Sequence, residues 1–131
     1  MNIFYAVKLE GTFKMVKTRS VPRQSKPYKP LIEVAKKQPV FTFENVKGVM
    51  VGFRCPIFVK GINVPGYHLH FLTDDRKGGG HVLDFKTDDI ELKICRVLNF
   101  RMLLPDNEAF FKTNLSIDRE KELKKVESDK K

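Results

Sequence analysis

A chain of 131 residues, 41% hydrophobic, with 11 Phe and no Trp, is sized for one domain with a real core. No apolar run approaches the ~20 residues of a membrane-spanning helix, and Met1 leads directly into Asn-Ile-Phe-Tyr-Ala-Val-Lys-Leu without the charged, then apolar pattern of a secretory leader; a cytoplasmic protein without membrane contact is expected. The net charge of +9 is uneven, with 12 Lys and Arg against 3 acids in residues 1–60 and 13 against 13 in residues 61–131. Such a field attracts small anions, acidic partners or nucleic acid. No RNP, helix-turn-helix or basic-aromatic pattern accompanies it, so no nucleic-acid partner is expected.

In chain order, residues 3–17 alternate as a strand or bent hairpin around Gly11-Thr12. Residues 18–30 carry three prolines and read as a loop, with Pro30 opening a short helix to about Gln38 whose buried side is Leu31, Val34 and Ala35. Six successive strands are then predicted: Val40–Val46, Val49–Phe53, Ile57–Val59, Gly66–Thr73, His81–Lys86 and Ile90–Asn99. Short helices follow at Pro105–Lys112 and, capped by Ser116, at Ser116–Val126, and the last five residues are polar enough to fray. The expected class is α+β, mostly antiparallel β: a single domain over residues 1–131, one compact sheet or barrel with short peripheral helices.

The chemistry concentrates in one stretch, because all three histidines, His68, His70 and His81, fall within 14 residues. Side chains on a strand repeat with period two, so His68 and His70 point to one face. The turn-rich Thr73–Gly80 lets the chain reverse and return His81 beside His70. Three converging imidazoles suit zinc or another late divalent ion, with positions left open for catalysis. The bland alternative is two solvated strand histidines and a turn cap; same-face pairing plus the hairpin return favours a metal. Asp74 and Asp75 suit backbone bonding in the turn better than ligation, and Gly78–Gly80 read as hairpin geometry rather than a phosphate cradle. Asp84, three residues past His81, falls on the opposite face. Cys55 and Cys95 lack C-x-x-C spacing and are expected as two buried free thiols. Arg19 on pattern alone is as readily a solvated loop cation as an anion-binding group.

The blocks Phe4-Tyr-Ala-Val-Lys, Thr18-Arg-Ser-Val-Pro, Gln24-Ser-Lys-Pro-Tyr, Val51-Gly-Phe, Ile62-Asn-Val-Pro-Gly-Tyr-His-Leu-His-Phe, Asp74-Asp-Arg and Gly79-Gly-His-Val-Leu-Asp-Phe resemble acetolactate decarboxylase over nearly the whole chain. The resemblance implies zinc on His68, His70 and His81, Arg19 facing substrate, and a carboxylate from Glu127 as the tail folds back. It implies a small anionic 2-hydroxy-3-oxo acid substrate, 2-acetolactate, decarboxylated to acetoin. Family members are about twice as long, so the sequence looks like the carboxyl-terminal half, the amino-terminal half and its active-site glutamate being absent. A homo-oligomer or association with that missing half follows as an expectation. The alternatives are a non-catalytic metal-binding remnant or one subunit of a split enzyme. A cupin-like iron oxygenase ranks lower, since its usual glutamate after His-x-His is not found.

Overall fold

The computed structural model of the chain describes residues 2–35 and 37–116. Four strands, β1 (Phe4–Arg19), β2 (Val40–Cys55), β3 (Gly66–Thr73) and β4 (Gly79–Val97), form a closed antiparallel barrel in the order β1-β2-β3-β4, with β4 returning to β1. Two short helices, α1 (Leu31–Ala35) and α2 (Glu108–Phe111), lie outside the strands. Of the expected sheet or barrel, mostly antiparallel with short peripheral helices, the barrel is observed. No helix among the described residues is long and apolar enough to cross a membrane.

Long strands replace several short ones. Val40–Val46 and Val49–Phe53 are one strand, because β1 pairs with β2 through the junction, Thr12 with Lys47 and Gly11 with Gly48. A Cβ on Gly48 would lie 2.4 Å from the Leu72 carbonyl oxygen, so the glycine permits close strand approach rather than ending pairing. Likewise His81–Lys86 and Ile90–Asn99 are one strand, bent where β1 slips register between Gly11 and Met15. Ile57–Val59 is one turn of 3-10 helix rather than a strand; Pro56 precedes it and offers no ladder donor. Thr18 and Arg19 belong to β1 and not to the following loop, since Arg19 pairs with Val40 on one side and His81 on the other. The helix beyond Ser116 and Glu127 lie outside the described residues.

Val7, Leu9, Phe13, Val16, Met50, Leu69 and Phe71 fill the barrel. Phe13 meets Phe71 and Phe85 edge to face, with centroids 5.4 and 6.4 Å apart, the arrangement aromatic quadrupoles favour. This interior sets the register of β3, whose buried Leu69, Phe71 and Thr73 alternate with His68, His70 and Leu72. The two histidines therefore lie on the outer wall.

The seam between β3 and β4 is short: His70–His81, Phe71–Gly80 and Leu72–Gly79 are its paired residues. Beyond it the carboxyl-terminal part of β4 pairs with β1 alone. Cys95 lies on that half-open strand and is exposed, against the expectation of a buried thiol, while Cys55 is buried. Burial pushes the Cys55 thiol up, leaving it protonated and inert.

Candidate metal centre

The hairpin turn comes first, because it returns His81 to His70. The Thr73 hydroxyl donates to the Asp75 carboxylate at 2.6 Å, its oxygen accepts from Gly78 N–H at 3.0 Å, and Lys77 N–H donates to Asp75 at 3.0 Å. The Thr73 hydroxyl and the Lys77 amide hold the Asp75 carboxyl below its ordinary range. Arg76 takes positive φ, 58°, in the tight reversal. Asp74 sits apart from the histidines, 3.7 Å from Lys47 Nζ. Both acids are thus turn and surface groups, as the spacing suggested.

The return is made close by glycine. Gly80 has φ +148°, and a Cβ there would lie 2.4 Å from the Arg19 carbonyl oxygen; one on Gly79 would lie 2.4 Å from the Phe71 carbonyl oxygen. Neither position admits a side chain without moving a strand. With that approach allowed, His81 pairs with His70 on β3 and with Arg19 on β1. Directly opposed residues in a sheet share a face, so Val40, Arg19, His81 and His70 form one rung across four strand positions, with His68 two residues along.

The three rings converge. Centroids are 5.2 Å apart for His68 and His70, 4.9 Å for His68 and His81, and 5.4 Å for His70 and His81. Their ligand nitrogens all lie within 4.8 Å of one another, and Nε2 of His68 is 3.2 Å from Nε2 of His70. A tetrahedral ion with bonds of about 2.05 Å separates its ligand nitrogens by about 3.3 Å. The His68–His70 pair already has that spacing, and small ring rotations bring the third nitrogen to it. Among the described residues, this is the one group of His, Cys, Asp or Glu side chains able to hold a metal ion. Asp84 and both cysteines are outside it.

Arg19 is 5% exposed, which removes the reading of a solvated loop cation. It lines the same cavity as the histidines, about 410 Å³, together with Ser20, Val21, Leu31, Gln38 and Gly80. Leu31, expected on the buried side of α1, is instead exposed and faces this cavity. The excursion between β1 and β2 is tied down where Ser20 N–H donates to Pro39 C=O at 3.2 Å. Sequence pattern did not single out Gln38, Leu31 or Val21 as cavity residues. Only the Arg19–Val40 pairing brings both ends of the excursion to the site, and that pairing lies in the register of two strands rather than in any local motif.

Val51 and Phe53, the β2 partners of His70 and His68, are exposed apolar side chains on the same outer wall. The site thus combines three imidazoles, a buried guanidinium and an apolar flank.

The family model for alpha-acetolactate decarboxylase matches residues 1–117. The alpha-acetolactate decarboxylase of Brevibacillus brevis is 47% identical over 130 residues, covering 99% of this chain and 46% of the relative. That of Methanosarcina mazei is 52% identical over 128 residues, covering 96% and 44%. The crystal structure of the Bacillus subtilis alpha-acetolactate decarboxylase superposes with a TM-score of 0.93 at 43% identity, covering 98% of this chain and 55% of that one. The chain spans about half the length of the curated relatives it matches.

Proposed function

This chain belongs to the alpha-acetolactate decarboxylase family, and from that premise we propose that it serves the decarboxylation of 2-acetolactate to acetoin at the His68–His70–His81 site. The observation that carries the reading is the shared rung: a buried Arg19 beside His81 and His70, all opening on one cavity.

Zinc fits the three imidazoles and, when bound, would act as a Lewis acid for charge developing on the substrate's oxygens. The chain's own residues supply the rest. Arg19 presents a planar fork that is always charged and suits the substrate carboxylate, holding it where its bond to carbon 2 can break. As carbon dioxide leaves, the bonding electrons pass toward the ketone oxygen, and a proton delivered to carbon then yields acetoin. Arginine is a poor proton donor at neutral pH; Glu127 is our candidate for that transfer, on the resemblance alone. Val21 and Leu31 give the open cavity an apolar rim beside the histidines.

The test is metal analysis with an acetoin assay on the purified chain and on His70→Ala. Stoichiometric zinc and acetoin formation are expected for the wild type, with both lost in the variant. Zinc retained by His70→Ala would refute the ligand set. No acetoin from the wild type, where a full-length relative turns over in the same assay, would refute activity in this chain by itself.

A second reading draws on exposed Val51 and Phe53 beside the histidines: the site is completed by apolar contact with another protein surface, and this chain is the metal-binding part of a larger assembly. Sedimentation of the zinc-loaded chain as a clean monomer, active alone, would refute it.

A further inference from the structure

Gln38 lines the histidine cavity, and its side-chain oxygen is shielded from solvent with no hydrogen-bond partner among the described residues. The other polar side chains lining the cavity are the Ser20 hydroxyl, three imidazoles and a guanidinium, so the Gln38 amide sets a neutral acceptor beside a site whose fixed charge is cationic.

We propose that Gln38 is the residue that reads the 2-hydroxyl of the substrate, its amide oxygen accepting a hydrogen bond from that group. The inference rests on the decarboxylase reading and deepens it, by assigning selection of 2-hydroxy-3-oxo acids over 3-oxo acids without the hydroxyl.

The backbone around Gln38 is held in place. Its N–H donates to Ala35 C=O at 3.4 Å, the next residue's carbonyl accepts from Ser20 N–H at 3.2 Å, and Val40 pairs with Arg19. The terminal amide, by contrast, turns about a broad torsion, so the oxygen can swing to a donor entering the cavity. A buried acceptor without a donor has lost its hydration and gained nothing in return. A ligand hydroxyl restores the missing bond, whereas an analogue with methyl in its place leaves the oxygen buried and unpaired. Sites built in this way reject the analogue more strongly than an apolar pocket does. Glutamine is uncharged at all pH values, so it does not repel the substrate carboxylate, and it is a weaker acceptor for Arg19 than that carboxylate.

The experiment is isothermal titration of the zinc-loaded full chain with two anions that do not decarboxylate, 2,3-dihydroxy-2-methylbutanoate and 3-hydroxy-2,2-dimethylbutanoate. The wild type should prefer the first. In Gln38→Met, similar in size but without the acceptor, the preference should fall roughly threefold to tenfold with zinc content unchanged. Gln38→Glu keeps an acceptor but adds negative charge, so both anions should bind more weakly while the preference persists. An unchanged preference in Gln38→Met, with the wild type binding the hydroxy acid, overturns the inference and leaves the decarboxylase reading standing. Binding of neither anion by the wild type overturns that reading, and this inference with it. Should Gln38→Met fail to fold by circular dichroism, Gln38→Leu, also without an acceptor, takes its place: a reduced preference supports the assignment and an unchanged one overturns it.

Discussion

Substituting alanine for Gly80 changes no ligand, yet it should cripple metal binding. The added Cβ would stand 2.4 Å from the Arg19 carbonyl oxygen, where real Cβ contacts essentially never fall below 3.0 Å, so β1 and β4 must part by at least about 0.6 Å. His81 is the next residue and takes its position from that pairing. Metal–ligand distances tolerate only about ±0.2 Å, so the displacement is about three times what the site can absorb. Zinc affinity is expected to fall at least tenfold, the scale seen when supporting contacts of a metal site are removed. The φ of +148° adds backbone strain, and together the two should cost about 1–3 kcal/mol of stability. Gly61→Ala is the matched control, since Gly61 has φ +89° with nothing within 4 Å of its Cβ position: it carries strain without the clash and sits away from the site. Competitive zinc titration against a chelating indicator, with thermal unfolding on the same samples, reads both effects. Wild-type zinc affinity in a folded Gly80→Ala would refute the claim that the Gly80–Arg19 approach positions His81.

The other predictions concern separate layers of the molecule. Arg19→Lys keeps the charge but loses the planar fork, so kcat/KM should drop about tenfold to a hundredfold while metal analysis shows zinc unchanged; loss of zinc would mean that Arg19 supports the ligands instead. Phe13→Ala empties the barrel centre, where Phe13 is fully buried between Phe71 and Phe85, and urea denaturation should show a loss of about 3–5 kcal/mol. The Asp75 carboxyl is depressed in the folded state by the Thr73 hydroxyl and the Lys77 amide, so its contribution is present above the ordinary aspartate value and is lost as pH falls through the lowered one. Asp75→Asn should flatten that part of the acid unfolding profile, measured from about pH 5 to pH 2; an unchanged profile would argue that the turn bonds do not favour the charged form.

The histidine cluster was legible because its two determinants are local. A period-two repeat orients His68 and His70, and a glycine-rich turn sets where His81 returns, so neither requires knowledge of distant strands. Arg19 was only half legible: its residue type suits an anion, but the prolines after it pointed to a loop, and pairing with Val40 and His81 overrode that signal. The same blindness split β2 at Gly48 and β4 near Thr87, where glycine and polar residues mark close approach and a bend rather than the end of a strand. Leu31 was misread because a five-residue helix has too little surface for apolar spacing to define a face. Gln38 carried no signal at all, since its place depends on two strands more than fifteen residues apart meeting at one rung.

Because the histidines occupy the face of β3 that Leu69 and Phe71 leave free, interior packing and chemistry answer to separate sets of positions on one ribbon. A slip of one residue would drive both imidazoles inward and expose two core side chains, so the hydrophobic fit that keeps the barrel closed also guards the ligand geometry. The scaffold by itself brings the three imidazoles together, with their ligand nitrogens within 4.8 Å of one another. Over evolutionary time, substitutions on the outer wall can retune what is bound without renegotiating the fold, whereas a change at Phe71 would be felt on both sides at once.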